Sequence, residues 1–198
     1  AIPTIDETFI SGIVHAALDA GVVIMDVYNA SGGIETDTKS DDSPVTIADQ
    51  RAETLILERL KTLAPDTPVL AEESVAAGHI PEIGDVFFLV DPLDGTKEFI
   101  KRGSDFTVNI ALIYLGRPIL GVVYAPAQSR IWMAESTTLA WEANVPPGGD
   151  IPAQNQRKPL SIRRAPDHGI TAVASKSHRT QETDDFLGKF NVAEIAST

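Results

Sequence analysis

The amino-acid sequence predicts an α+β fold, two helices followed by a mainly antiparallel sheet, and three observations lead there. Apolar residues recur at helical spacing over 6–29 and again over 46–63. From residue 86 on, short runs rich in β-branched residues alternate with turn formers. The chain has 198 residues, 43% of them apolar and 22% charged, which is enough to bury a core and argues against disorder.

Ile10, Ile13, Val14, Ala17, Leu18, Gly21, Val22 and Met25 fall on one stripe and predict an amphipathic helix over 6–29. The polar stretch 30–44 has turn formers and no apolar period. Thr46 is a candidate N-cap, with Asp49 three residues on. Ala52, Leu55, Ile56, Leu60 and Leu63 then predict a second helix, ended by Pro65 and Pro68. Val69–Ala71 is a short strand leading into Glu72-Glu73, placed so that one carboxylate points into a site and the other away. Val86–Val90 is a strand with the look of one buried on both faces. It ends in Asp91-Pro92-Leu93-Asp94-Gly95-Thr96, and a short helix follows to about Lys101. Phe106–Tyr114 and Pro118–Tyr124 form a hairpin at Gly116, continued by strands at Ile131–Ala134 and Thr138–Trp141. Residues 144–159 are a Pro/Gly-rich loop, Leu160–Ile162 and Thr171–Ala174 are strands, and Thr180–Phe186 opens a helix. No internal repeat is present.

The formal net charge of −12 disfavours a nucleic-acid polymer as partner, since no basic field exists to release its counterions. A small anionic substrate stays open, because bound cations reverse the sign of a site locally. There is no Cys, so disulfides, thiolate metal sites and Cys nucleophiles are absent. No apolar run reaches the about 20 residues of a membrane span, and no basic segment opens the chain. A cytoplasmic protein is expected. Oligomeric state is not legible, which leaves a homodimer open.

The segment Asp91–Thr96 carries the chemistry. Asp91 and Asp94 straddle a Pro turn at a strand end and can aim carboxylate oxygens at one point, with the Leu93 carbonyl between them. Oxygen-only donors suit Mg²⁺. Gly95 permits close backbone approach, and the amides of Gly95 and Thr96 at a helix start suit a phosphate. A cation beside phosphate-binding amides means phosphoryl hydrolysis or transfer, and the chain has no GxxxxGK[ST] loop to suggest an NTPase. Taken alone, the segment is equally an Asx turn capping a helix, the Glu pair a solvated face, and Asp49 a helix cap.

Together these segments resemble the inositol monophosphatase superfamily. Glu72-Glu73-Ser74 with Asp91–Thr96 is similar to its first signature. Lys97–Arg102, Phe106–Ile113, Lys39–Thr46 with Asp49, and Ser175-Lys176-Ser177-His178 resemble its 3′(2′),5′-bisphosphate nucleotidase branch. The resemblance implies a layered α/β sandwich and a Mg²⁺ site made by Glu72, Asp91, Asp94 and the Leu93 carbonyl. It also implies that Thr96 orients the attacking water with Asp49 bonded to it, and that Asp94, Gly95 and Thr96 hold the scissile phosphate. Asp49, Glu72 and Thr96 are then the catalytic set. The implied reaction is hydrolysis of 3′-phosphoadenosine 5′-phosphate to AMP and phosphate by a water that Mg²⁺ activates, in sulfur assimilation and with sensitivity to Li⁺. His178 is assigned a structural or interdomain role rather than a phosphate contact.

Three alternatives accompany this: an inositol phosphatase, which Lys97-Glu98-Phe99 disfavours, a sugar bisphosphate phosphatase, and a truncated chain that binds Mg²⁺ or nucleotide without turnover. The last arises because the family's second signature, Trp-Asp, is missing: Trp132 is followed by Met and Trp141 by Glu. The expected organisation is a metal-binding catalytic domain over 1–164 and the truncated start of a C-terminal α/β domain over 165–198.

Overall fold

The computed structural model describes residues 2–39, 44–175 and 179–197. The Ser40–Ser43 part of the Lys39–Thr46 stretch and Lys176-Ser177-His178, with the role expected for His178, lie outside the described residues. The chain divides into two compact units, residues 1–160 and 161–198.

The first unit opens with α1 (Glu7–Asn29), capped by Asp6, whose side chain accepts from the Phe9 amide at 2.8 Å. Next come the short strands β1 (Thr36–Thr38) and β2 (Pro44–Thr46), an antiparallel pair. α2 (Ile47–Leu63) follows directly. β3 (Val69–Ala71), α3 (Glu72–Ala76), β4 (Val86–Asp94), α4 (Thr96–Ile100), β5 (Thr107–Tyr114), β6 (Arg117–Ala125), β7 (Arg130–Ala134), β8 (Ala140–Asn144) and β9 (Lys158–Pro159) complete the unit. Seven of these strands form one sheet in the order β3-β4-β5-β6-β7-β8-β9. β3 runs parallel to β4, and every other pair is antiparallel.

α1 and α2 pack on each other and on one face of that sheet, α1 against β5 and β6 and α2 against β4. Alternate residues of each strand therefore meet the helices: Phe88 and Val90, Val108, Ile110 and Leu112, Leu120, Val122 and Tyr124, Ile131 and Met133, all buried. Phe9 of α1 stacks on Phe88 at 6.3 Å between ring centroids. The opposite face stays open, with Leu89 46% and Val123 38% exposed. The expectation that Val86–Val90 is buried on both faces is thus wrong, because helices cover one side only.

Further corrections concern boundaries. β4 does not stop at Val90 but runs through the acidic segment with an irregularity in its pairing to β5 between Asp91 and Asp94. Pro92 has no N–H for the ladder, and a bulge there re-aims the flanking side chains. The strand expected at Thr138–Trp141 lies at Ala140–Asn144, since residues 136–139 turn the chain and Glu135 N–H bonds Leu139 O at 2.9 Å. Leu160–Ile162 is not a strand; pairing to β8 ends with β9, inside the expected loop. α1 has the length and hydropathy to cross a bilayer after all, but half of its apolar window is buried in the fold as a core helix is.

The second unit holds β10 (Ile170–Ala174), α5 (Gln181–Leu187) and β11 (Val192–Ser197), with β10 and β11 parallel and the helix between them in sequence. Thr180 caps α5, accepting from Thr183 N–H.

Candidate active site

The acidic segment of β4, the start of α4, the N-terminus of α2 and the start of α3 come together at one end of the sheet. Thr46 begins the arrangement. Its hydroxyl accepts from the Ala48 amide at 3.1 Å, while its own N–H and O–H donate to Asp49 Oδ2 at 2.8 and 2.6 Å. This is a complete capping box. The other carboxylate oxygen, Oδ1, faces away from the cap and accepts the Thr96 hydroxyl at 3.0 Å, across 47 residues of sequence. Cap and long-range partner, which the sequence sets against each other, thus use different oxygens of one side chain. Asp49 is 1% exposed. Burial raises its pKa above the usual carboxylate value, and the bonds from Thr46 and Thr96 work against that rise.

Thr96 sits at the first position of α4. Its hydroxyl also lies 3.1 Å from Leu93 O, so its single proton is shared between Asp49 and that carbonyl. Gly95 makes the turn into α4 at φ 92°. A Cβ there would lie 2.6 Å from Asp105 O, so both backbone conformation and space demand glycine. The Gly95 carbonyl accepts from Glu98 and Phe99 N–H, which leaves the first-turn amides of Gly95 and Thr96 outside the intrahelical ladder. α4 is only five residues long, so directed hydrogen bonds from those amides, rather than a macrodipole, are what it offers an anion.

Asp91 Oδ1 accepts from Leu93 N–H at 3.2 Å, and Asp94 Oδ2 from Asn109 Nδ2 at 3.4 Å, Asn109 being paired with Asp91 across the ladder. Burial, then the charge of Glu72 within hydrogen-bonding reach, and then Asp94 push the Asp91 carboxyl up to about 8. Three carboxyl groups close enough to repel, beside a carbonyl, make an oxygen-only donor set of the kind a hard cation neutralises. They are neighbours rather than a closed cage, for among the described residues no group of three or more has metal-ligand geometry. By donor chemistry they fit Mg²⁺.

Glu72 and Glu73 follow β3, as expected, and are the first two residues of α3. Glu72 lines a cleft with Asp91, while Glu73 lines a separate pocket with Glu53. Lys39 Nζ reaches both, at 2.6 Å from Glu72 Oε1 and 2.7 Å from Glu73 Oε1, with its side chain 8% exposed. Burial works against the Lys39 charge, but the hydrogen bonds and charges of the two glutamates outweigh it and hold its pKa above the ordinary lysine value. Burial raises the Glu73 carboxyl, against the hydrogen bond and charge of Lys39.

Sequence reasoning missed Glu53. It is buried, and it accepts from Glu73 N–H at 2.7 Å, Ser74 N–H at 2.8 Å and Ser74 Oγ at 2.6 Å. The signal available was its spacing, four residues after Asp49 and so on the same helix face. From Glu72 and Asp91 a cleft of about 730 Å³ extends over the open sheet face, lined by Leu70, Leu89, Ala111 and Val123 among others.

The Inositol monophosphatase family model matches residues 6–194 of this chain. The 3′(2′),5′-bisphosphate nucleotidase CysQ of Salmonella typhimurium is 42% identical over 189 residues, which cover 94% of this chain and 72% of that protein. Among solved structures, CysQ from Bacteroides thetaiotaomicron, a bacterial member of the inositol monophosphatase family, has a TM-score of 0.71 and 36% identity, covering 94% of this chain and 71% of its own. The IMPase of Thermotoga maritima, with a TM-score of 0.68 and 22% identity over 93% of this chain and 65% of its own, is a likeness of fold alone.

Proposed function

The chain belongs to the inositol monophosphatase family, and from that membership we propose that it is a Mg²⁺-dependent phosphomonoesterase that hydrolyses 3′-phosphoadenosine 5′-phosphate to AMP and phosphate, in the cytoplasm and in the service of sulfur assimilation. The observation that carries the proposal is the Thr96–Asp49 hydrogen bond, made beside Asp91, Asp94 and the Leu93 carbonyl. A structural cap needs only one oxygen of Asp49. The second is spent on a hydroxyl at the edge of the acidic cluster.

Glu72, Asp91, Asp94 and the Leu93 carbonyl would hold the cation. When bound, Mg²⁺ supplies charge neutralisation at the phosphate and acidifies water. The chain does the rest. Thr96, its hydroxyl proton directed to Asp49, presents lone pairs to a water and orients it toward phosphorus. As that water's oxygen bonds phosphorus and the P–O3′ bond breaks, its proton passes to the Thr96 hydroxyl while the Thr96 proton passes to Asp49, whose burial raises its basicity, and the departing O3′ takes a proton from solvent. Glu72 would help to position the same water. The amides of Gly95 and Thr96, with the cation that Asp94 would help to hold, would bind the phosphate oxygens while charge builds on them.

Relatives of two substrate classes share this fold, so the test is a substrate panel. Phosphate release is measured with 3′-phosphoadenosine 5′-phosphate and with inositol 1-phosphate in Mg²⁺. A preference for the nucleotide of at least about tenfold in kcat/KM, ~1.4 kcal/mol of transition-state discrimination, is expected. Equal or reversed values move the assignment to an inositol or sugar phosphatase. No turnover of either leaves a binding fragment.

A further inference from the structure

We propose that Glu53 is a positioning residue that sets the affinity for the catalytic cation by fixing where α3 begins; this rests on the reading of Glu72 as a Mg²⁺ ligand. α3 has five residues, none of them buried, and its N-cap, Ala71, offers no side-chain hydrogen bond. So short a helix does not hold itself in place. Among the described residues, the donors to Glu53 all come from its first turn: the amides of Glu73 and Ser74 and the Ser74 hydroxyl, at 2.6–2.8 Å. Glu53 lies at 5% exposure on the inward face of α2, one turn beyond Asp49. The 17-residue α2 therefore carries both the partner of Thr96 and the anchor of the Glu72-Glu73 helix, and it sets the spacing between the two halves of the site. The anchor has something to resist. The Lys39 ammonium bonds both Glu72 and Glu73 and so competes with a cation for Glu72.

Glu53→Gln turns one acceptor into a donor facing an N–H. Glu53→Ala leaves two amides without a partner. Ser74→Ala removes one of the three bonds with little risk to the fold. Glu53→Asp keeps the charge but shortens the reach.

The experiment titrates Mg²⁺ into each protein calorimetrically and measures kcat and KM at saturating Mg²⁺, with a metal-free thermal melt alongside. Expected are a loss of Mg²⁺ affinity of about tenfold or more for Glu53→Gln and Glu53→Ala, about two- to threefold for Ser74→Ala, partial rescue by Glu53→Asp, and KM within about twofold of wild type throughout. Variants that melt earlier yet bind Mg²⁺ as wild type does would make Glu53 a structural cap only and overturn the proposal. If the Glu53 variants fail to fold, Ser74→Ala decides, and an unchanged Mg²⁺ affinity there overturns it. A wild-type protein that binds no Mg²⁺ overturns the functional reading itself, and the proposal with it.

Discussion

Asp49 closes a helix cap with one oxygen and, in the proposed reaction, takes part in the chemistry with the other. Its Oδ2 closes the capping box of α2, worth about 0.5–2 kcal/mol, and its Oδ1 holds Thr96. Thr96→Ala is therefore expected to lower kcat by roughly 10²-fold or more, with the Mg²⁺ requirement and KM little changed, and to lose some stability, since Oδ1 of the buried Asp49 loses that donor. Asp49→Asn should match it in kinetics and lose stability as well, because an uncharged amide accepts more weakly from the Thr46 N–H and hydroxyl that close the cap. If the two side chains act as one unit, the double variant falls little below either single; additive losses in kcat would return Asp49 to a capping role alone. Asp91→Asn should differ from both by weakening Mg²⁺ binding together with turnover.

The elements that position these residues depend on two close approaches. α4 can begin only because Gly95 turns at positive φ against Asp105 O, so Gly95→Ala should destabilise the fold and abolish turnover together, seen as a lower melting temperature and lost phosphate release. α1 can lie on the sheet only because Gly21 leaves room for the Tyr124 ring, whose hydroxyl donates to Val145 O at 2.9 Å. Burial pushes the Tyr124 hydroxyl up to about 12. A folded-state pKa above the unfolded one gives a stability contribution that is full below about pH 10 and is lost as pH rises through 12. Denaturation followed from pH 9 to 12 should show this alkaline loss in wild type and a smaller one in Tyr124→Phe. What the sequence disclosed about these elements tracks periodicity. α1, α2 and the β5–β6 hairpin carry strong 3.6- or two-residue patterns and appear where expected. β1 is exposed at all three positions, and β11 is mostly exposed, so neither shows an apolar alternation to detect. Glu53 hid for a related reason: a glutamate in an amphipathic helix reads as solvated until the start of α3 is known to lie over it. The Glu72-Glu73 pair was visible, but its convergence on Lys39 depends on tertiary placement alone.

At the scale of the molecule, a net charge of −12 concentrates part of its acidity at one end of the sheet, where Glu72 and Asp94 raise the cost of ionising Asp91. A cation bound there stabilises the fold by mass action, about 2.7 kcal/mol at a concentration one hundred times its dissociation constant, so Mg²⁺ should raise the melting temperature of wild type and not of Asp91→Asn. The account joins this cluster to the Thr96–Asp49 pair in a single reaction, and one measurement tests that union most directly. Phosphate release from 3′-phosphoadenosine 5′-phosphate is followed in Mg²⁺, then in excess chelator, then after Mg²⁺ is restored. The account predicts turnover that vanishes with chelator and returns with the metal, whereas full turnover in excess chelator would contradict it.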